Sequence, residues 1–193
     1  MFPVHTGVRH EQGRRRFGDI VAELAWVDTL LDPLLARGYL AGLSERPLEQ
    51  IQVMRNDCRE TEAIVSFIRR VVQGRLDIVQ AILEARSAGR ETTSEEMVGR
   101  LAAIMARPSP PNGLGRLEGP FAPDTESKEL SSVVATILDV ADPTDLVVAD
   151  ESDLQRTSIR FSELEHVISA QRRALHAIMR GLREAVCERY AAV

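Results

Sequence analysis

The chain has 193 residues, a net charge of −5 and 27% charged residues, but only 4% aromatic residues. The acidic balance argues against a general nucleic-acid binder, and no apolar run approaches the ~18 residues of a membrane span. Alanine, leucine, arginine and glutamate dominate, which is typical of helices and coiled coils. With no signal peptide and only two cysteines, we expect a cytoplasmic protein without a disulfide framework.

The first part of the chain predicts a flexible tail over residues 1–16 and a helical segment over residues 17–42. Apolar residues recur there at helical spacing, and Pro33 should kink or restart the helix. Gly38 and Gly42 then end it. The segment is the most apolar one outside the long helices.

A much longer helix is predicted in the segment 43–89. Ser44 with Pro47 close behind is a plausible start, the periodic pattern reaches about Arg86, and Gly89 ends it. A helix of about 40 residues normally needs a partner along its length.

Residues 90–151 predict short helices joined by a linker. One helix starts at Thr93 or Ser94 and ends near Met105, and a Pro/Gly-rich linker occupies 107–126. Another helix covers Ser127 to Leu138, followed by a break from Pro143 to Asp153.

The segment 152–193 predicts a second long helix, capped by Ser152 and reaching about Tyr190. No strand pattern is convincing. The predicted fold is therefore all-α: an antiparallel two-helix coiled coil with shorter flanking helices and a Pro/Gly-rich linker.

The most informative feature is a polar stripe on the first long helix with the pattern E-x3-S-x2-R-x3-Q-x3-D. At about 100° per residue its five positions fall within roughly 80° of arc, so they share one helix face. A separate apolar face runs along the same segment. The stripe consists of Glu62, Ser66, Arg69, Gln73 and Asp77.

The second long helix repeats the first three positions at the same spacing and departs at the last two. Its stripe consists of Glu165, Ser169, Arg172, His176 and Arg180. Stripes of this kind are more often solvated faces of charged helices, but the paired spacing favours a ligand site.

Antiparallel pairing with the two stripes centred on each other predicts a register for the pair. Gln73 would face Ser169, and Arg69 would meet Arg172 or Arg173 at the centre. Asp77 would face Glu165, and Arg180 would lie opposite Glu62. Facing guanidiniums suit an anion, and carboxylates accept from the N–H donors of guanine, so this arrangement describes a dinucleotide-sized slot.

These residues also carry a family resemblance. The stretch from Glu62 to Asp77, with its run RRVVQGRLDIV, resembles the first ligand helix of RsiG, an anti-sigma factor of sporulating actinobacteria. The segment HVISAQRRALH and the tail ERYAAV are similar to its second ligand helix. The resemblance covers roughly residues 43–83 and 152–190, and Arg180 and His176 depart from it.

The resemblance implies that the two helices form an antiparallel coiled coil that binds cyclic di-GMP through both stripes. It also implies that the loaded protein sequesters WhiG, a flagellar-type sigma factor. A nucleotide-independent coiled-coil interaction or scaffold protein is the alternative.

Other chemistry finds little support in the sequence. We expect neither an enzyme nor a metal site, since the chain has no recognisable catalytic or metal-binding motif and its four histidines do not cluster. The helix around Trp26, Leu30 and Leu34 either contacts the sigma factor or packs on the coil.

Overall fold

The computed structural model of the protein describes residues 15–90 and 127–191. Every regular element in these ranges is an α-helix, which confirms the all-α prediction. The predictions for residues 1–14, for the helix ending near Met105 and for the linker at 107–126 lie outside the described residues. The helices are α1 (Phe17–Leu35), α2 (Leu48–Ser87), α3 (Lys128–Val140), α4 (Pro143–Val148) and α5 (Glu151–Ala191).

The two long helices, α2 with 40 residues and α5 with 41, pack against each other over most of their length. The core positions of α5 follow a seven-residue repeat, which keeps one apolar seam facing the partner helix. Leucine, isoleucine and one phenylalanine occupy this seam, and all are buried. They are Leu154, Phe161, Ile168, Leu175 and Leu182.

Arginines tie the ends of the coil and show that it is antiparallel. Arg86, near the end of α2, donates to the carbonyls of Val147 and Ala149 at 2.7 Å each, just before α5 begins. Arg189, near the end of α5, donates to the carbonyls of Leu43 and Arg46 at 3.0 and 2.8 Å, just before α2 begins. Each charged side chain thus satisfies backbone acceptors outside the long helices.

The shorter helices cover one side of the coil. Phe17 at the start of α1 packs edge-on against Phe161 of α5 at 5.5 Å between ring centres. On the other side of α1, Ser132 of α3 donates to Glu23 at 2.8 Å. α1 continues through Pro33 without a restart and ends two residues later. Pro33 has no N–H to donate, and a proline is tolerated best near a helix end.

The side of α1 that carries Trp26, Leu30 and Leu34 packs inward. Leu34 is buried, and Trp26 and Leu30 are half-buried against the core. Of the two roles predicted for these residues, the structure shows packing.

The predicted start of α2 at Ser44 is wrong, because Ser44 lies in a turn and α2 begins at Leu48, directly after Pro47. The predicted glycine breaks and the predicted helix start at Ser127 are confirmed. Gly38, Gly42 and Gly89 adopt positive φ values of 90°, 66° and 67°, which glycine adopts without steric cost. Ser127 caps α3 by accepting from the Leu130 N–H at 2.9 Å.

The segment between α3 and α5 differs from the prediction, because the break contains a short helix. Asp142 caps α4 by accepting from the Thr144 N–H at 2.8 Å, and Pro143 occupies the first turn. Asp150, and not Ser152, caps α5, since its carboxylate accepts from the Asp153 N–H at 2.7 Å. Aspartate followed by proline occurs both at helix starts and in turns, so the pair Asp142-Pro143 does not distinguish a helix from a break.

Candidate functional site

The polar stripes of α2 and α5 meet along one side of the coil and form two clusters. In the first cluster, the carboxylate of Glu62 accepts hydrogen bonds from three side chains through Oε1. Ser66 Oγ lies at 2.7 Å, and Arg172 Nε and His176 Nε2 lie at 3.0 Å each. Arg172 Nε also donates to Ser66 Oγ at 2.7 Å. The first cluster therefore joins two residues of α2 to two of α5.

The second cluster repeats the first with the roles of the helices exchanged. Oε1 of Glu165 accepts from Ser169 Oγ at 2.8 Å, from Arg69 Nε at 2.9 Å and from Gln73 Nε2 at 3.1 Å. Arg69 Nε also donates to Ser169 Oγ at 2.7 Å. Here α5 supplies the glutamate and the serine, while α2 supplies the arginine and the amide.

The two clusters are related by a pseudo-twofold axis across the coil. About two turns of each helix carry glutamate, serine and arginine at the same spacing, and each arginine reaches the glutamate and serine of the other helix. The correspondence holds at the fourth position, where Gln73 Nε2 donates to Glu165 and His176 Nε2 is hydrogen-bonded to Glu62. Eight of the ten predicted site residues are thus brought together.

The predicted register is wrong. Arg69 does not meet Arg172 or Arg173 but pairs with Glu165, and Gln73 reaches Glu165 instead of Ser169. Glu62 is paired with Arg172 and His176, so Arg180 does not take the predicted place opposite it. Pairing each arginine with a carboxylate removes the like-charge contacts that the centred register would create.

The glutamates of the two clusters differ in burial. The Glu62 side chain is 4% exposed, whereas that of Glu165 is 22% exposed. Burial by itself raises the pKa of Glu62, but hydrogen bonds from Ser66, His176 and Arg172, together with the charge of Arg172, outweigh it. The net effect lowers the pKa of Glu62 to about 2. Glu62 is therefore an anion held in place from three sides.

The arginines of the clusters use only one edge for these contacts. Both bond through Nε, and no hydrogen bond joins the terminal nitrogens of Arg69 or Arg172 to another residue in the described ranges. The two side chains are 28% and 31% exposed. Likewise, Oε2 of Glu165 accepts no hydrogen bond from the described residues. The site offers guanidinium donors and a carboxylate acceptor at a surface that solvent reaches.

The last positions of the stripes are Asp77 and Arg180. Both are exposed, and neither takes part in the hydrogen bonds that define the two clusters. The described residues also contain no group of three or more histidine, cysteine, aspartate or glutamate side chains placed to hold a metal ion.

A comparison with protein families finds a match for the part of the chain that contains α2. Residues 37–105, which contain the loop before α2, all of α2 and its complete stripe, match the model of the RsiG-like family. The match supports assignment of the chain to the RsiG family. No curated protein matches the chain.

The RsiG-like family implies an anti-sigma-factor role, and it is a regulatory family, not one of known enzymes. The second stripe lies on α5, outside the matched residues, and its part in the site follows from the hydrogen bonds to α2. Within the residues described, no helix combines the length and apolar character needed to cross a bilayer.

Proposed function

We propose that this RsiG-like protein is an anti-sigma factor that binds cyclic di-GMP between the stripes of α2 and α5. In the loaded form it sequesters a WhiG-type sigma factor of the flagellar and sporulation class and so represses transcription. It works in the cytoplasm with its sigma factor, makes no direct contact with DNA and catalyses no reaction.

The observation that carries this proposal is the pair of glutamate–serine–arginine clusters. A guanidinium fork binds phosphate or the acceptor edge of guanine through two parallel N–H donors, and the terminal nitrogens of Arg69 and Arg172 offer such donors. A carboxylate accepts from the N1–H and N2–H groups of guanine, and Oε2 of Glu165 has that capacity. Charged donors and an acceptor therefore lie on one polar face.

The symmetry of the site suits the symmetry of the proposed ligand. Cyclic di-GMP has two identical halves, each with one guanine and one phosphate, and the two clusters repeat the same three residues about a pseudo-twofold axis. The clusters differ where His176 replaces the amide of Gln73 and where Glu62 is more buried than Glu165. We therefore propose that the more open Glu165 cluster makes the stronger contact with a guanine.

The proposed site also explains how a small ligand regulates a larger contact. A nucleotide that binds the terminal nitrogens leaves the Nε contacts between the helices in place and adds bonds to both helices. It thereby stabilises the paired hairpin, and any partner that prefers this form binds more tightly. Asp77 and Arg180, at the ends of the stripes, are proposed to contact the ligand from the edges of the site.

Titration calorimetry of the purified protein with cyclic di-GMP, and separately with GMP, tests the proposal. We expect saturable binding of cyclic di-GMP and at least tenfold weaker binding of GMP, because only the dinucleotide spans both clusters. Absence of binding, or equal affinity for GMP, would refute the proposed ligand.

The alternative is a nucleotide-independent coiled-coil interaction protein. One observation favours it: the eight cluster residues make hydrogen bonds to one another. A polar contact whose only role is to fix the register of the two helices would do the same. The same titration separates the two functions. A structural seam binds neither nucleotide, and its sigma-factor affinity does not change when cyclic di-GMP is added.

A further inference from the structure

An apolar groove of about 270 Å³ lies on the opposite side of the helical turns that carry the clusters. α1 and α5 form its walls, and α2 forms its floor with Val65 and Ile68. Aliphatic side chains dominate the lining, and Arg160 of α5 sits over the Phe17 ring at 5.7 Å. A dry cavity of about 150 Å³ accepts a benzene-sized group, so this groove has room for one or two large apolar side chains.

The groove and the candidate site share the same turns of both long helices. On α2, Val65 and Ile68 of the floor alternate with Ser66 and Arg69 of the clusters. On α5, Leu164, Val167, Ile168 and Gln171 alternate in the same way with Glu165, Ser169 and Arg172. A ligand that fixes the spacing of α2 and α5 on one side therefore also fixes the width of the groove on the other.

The rim of the groove is apolar and its surroundings are acidic. Val21 of α1 and Val167 of α5 are 56% and 53% exposed, so both present methyl groups to solvent. Of the four acidic residues of α1, Asp28 lines the groove and Asp32 lies one turn further along the same face, whereas Glu23 faces α3. One arginine of the lining, Arg160, lies over the Phe17 ring. Glu163 adds a further carboxylate on the α5 wall. The complementary partner surface is apolar at its centre and basic around it.

We propose that this groove receives an amphipathic helix of the sigma factor, with apolar side chains in the groove and basic side chains against α1 and Glu163. The inference rests on the proposed function and adds the docking surface to it. An amphipathic helix in an apolar groove is a common recognition mode, and a protein that binds promoter DNA carries basic surfaces. Occupying such a surface with an acidic helix also denies it to DNA.

The test compares two valine-to-arginine variants of the full chain by titrating a WhiG-type sigma factor at saturating cyclic di-GMP. Val167→Arg places a charge on the groove rim. Val53→Arg on α2 is the matched control, because Val53 is similarly exposed at 58% and does not line the groove. Far-UV circular dichroism and thermal unfolding verify that both variants fold.

We expect Val167→Arg to weaken sigma binding at least tenfold, because Val167 would be buried in the complex as an anchor. Val53→Arg should change sigma binding by less than about twofold, because Val53 lies outside the proposed interface. The affinity of both variants for cyclic di-GMP without sigma factor should match that of the unaltered chain. Wild-type affinity of Val167→Arg for sigma would overturn the docking proposal alone. An unaltered chain that binds no sigma factor would overturn the proposed function, and the docking proposal with it.

The charge of the partner is tested with Glu163→Lys. We expect weaker sigma binding than for the unaltered chain and a smaller dependence of affinity on salt, since one attractive carboxylate is replaced by a like charge. Unchanged affinity and salt dependence would refute a basic rim on the partner.

Light scattering supplies a further check: a dimer of the unaltered chain that Val167→Arg dissociates would show that a second copy occupies the groove.

Discussion

At the scale of single residues, each cluster arginine uses the Nε edge of its guanidinium for contacts between the helices, and the proposed function assigns the other edge to the ligand. The Nε edge of Arg69 bonds to Glu165 and Ser169, and that of Arg172 bonds to Glu62 and Ser66. These contacts orient each side chain, so its terminal nitrogens are already positioned for an anion. Preorganised donors lose less entropy when they bind, so the proposed function assigns each arginine a large contribution to ligand affinity.

Removing one of these arginines should therefore impair binding without unfolding the coil. Arg69→Ala is expected to weaken binding of cyclic di-GMP by roughly ten- to a hundredfold, the range of a hydrogen bond to a charged group. Arg156→Ala is the control, because Arg156 lies more than two turns before Glu165 and pairs with Asp153 of its own helix. Calorimetry measures both affinities; equal affinities would remove Arg69 from the site.

Glu62 gives the cluster a pH dependence whose sign follows from its lowered pKa. The pKa is about 2 in the folded chain and near 4.5 for an ordinary glutamate. The charged contacts therefore stabilise the fold fully above about pH 4.5, by about 3 kcal/mol, and this contribution is lost as pH falls towards 2.

In urea unfolding at pH 5, 4 and 3, Glu62→Gln should lose less stability with acidification than the unaltered chain. Glu184→Gln, an exposed carboxylate on α5, should behave like the unaltered chain. If Glu62→Gln and the unaltered chain lose stability in parallel, Glu62 is not held as an anion by its three partners.

At the scale of helices, the sequence predicts the long pair well, because the periodicity of the apolar residues sets which face of each helix is buried. Val65, Ile68, Leu175 and Leu182 are buried as their spacing indicates. The same periodicity places glutamate, serine and arginine together on a second face. The short helix α4 escaped prediction because six residues carry too little periodicity to distinguish a helix from a turn.

The axial register could not be obtained from the faces alone. Periodicity fixes rotation about the helix axis but leaves a slide of one turn nearly unconstrained. Opposite charges decide it here, since Arg69 and Arg172 each find a carboxylate on the partner helix. The burial of Glu62 depends on how neighbouring side chains pack around it, and residue spacing alone does not predict that packing.

The seam between α2 and α5 should supply most of the stability. Leu175→Ala removes a fully buried side chain and is expected to lower the free energy of unfolding by about 2–5 kcal/mol. Leu138→Ala on α3 removes the same atoms from a side chain that is 38% exposed and should cost less than half as much. Urea midpoints with an unchanged slope give both values; equal losses would mean that the seam is not the main core.

At the scale of the whole molecule, the site and the groove occupy opposite sides of one helix pair. α1 closes the groove side, and the arginine contacts at both ends hold the hairpin together. Under the proposed function, a ligand on one side and a protein partner on the other act on the same spacing between α2 and α5. If the proposed ligand raises the affinity for the proposed partner, thermodynamic linkage requires that the partner raises the affinity for the ligand by the same factor.

The most direct test of the central claim is reciprocal titration calorimetry. The affinity for a WhiG-type sigma factor is measured with and without cyclic di-GMP, and the affinity for cyclic di-GMP with and without sigma factor. We predict that the nucleotide tightens sigma binding at least tenfold, and that sigma factor tightens nucleotide binding by the same factor. A sigma affinity that is indifferent to cyclic di-GMP would contradict the account and leave a constitutive binder without a switch.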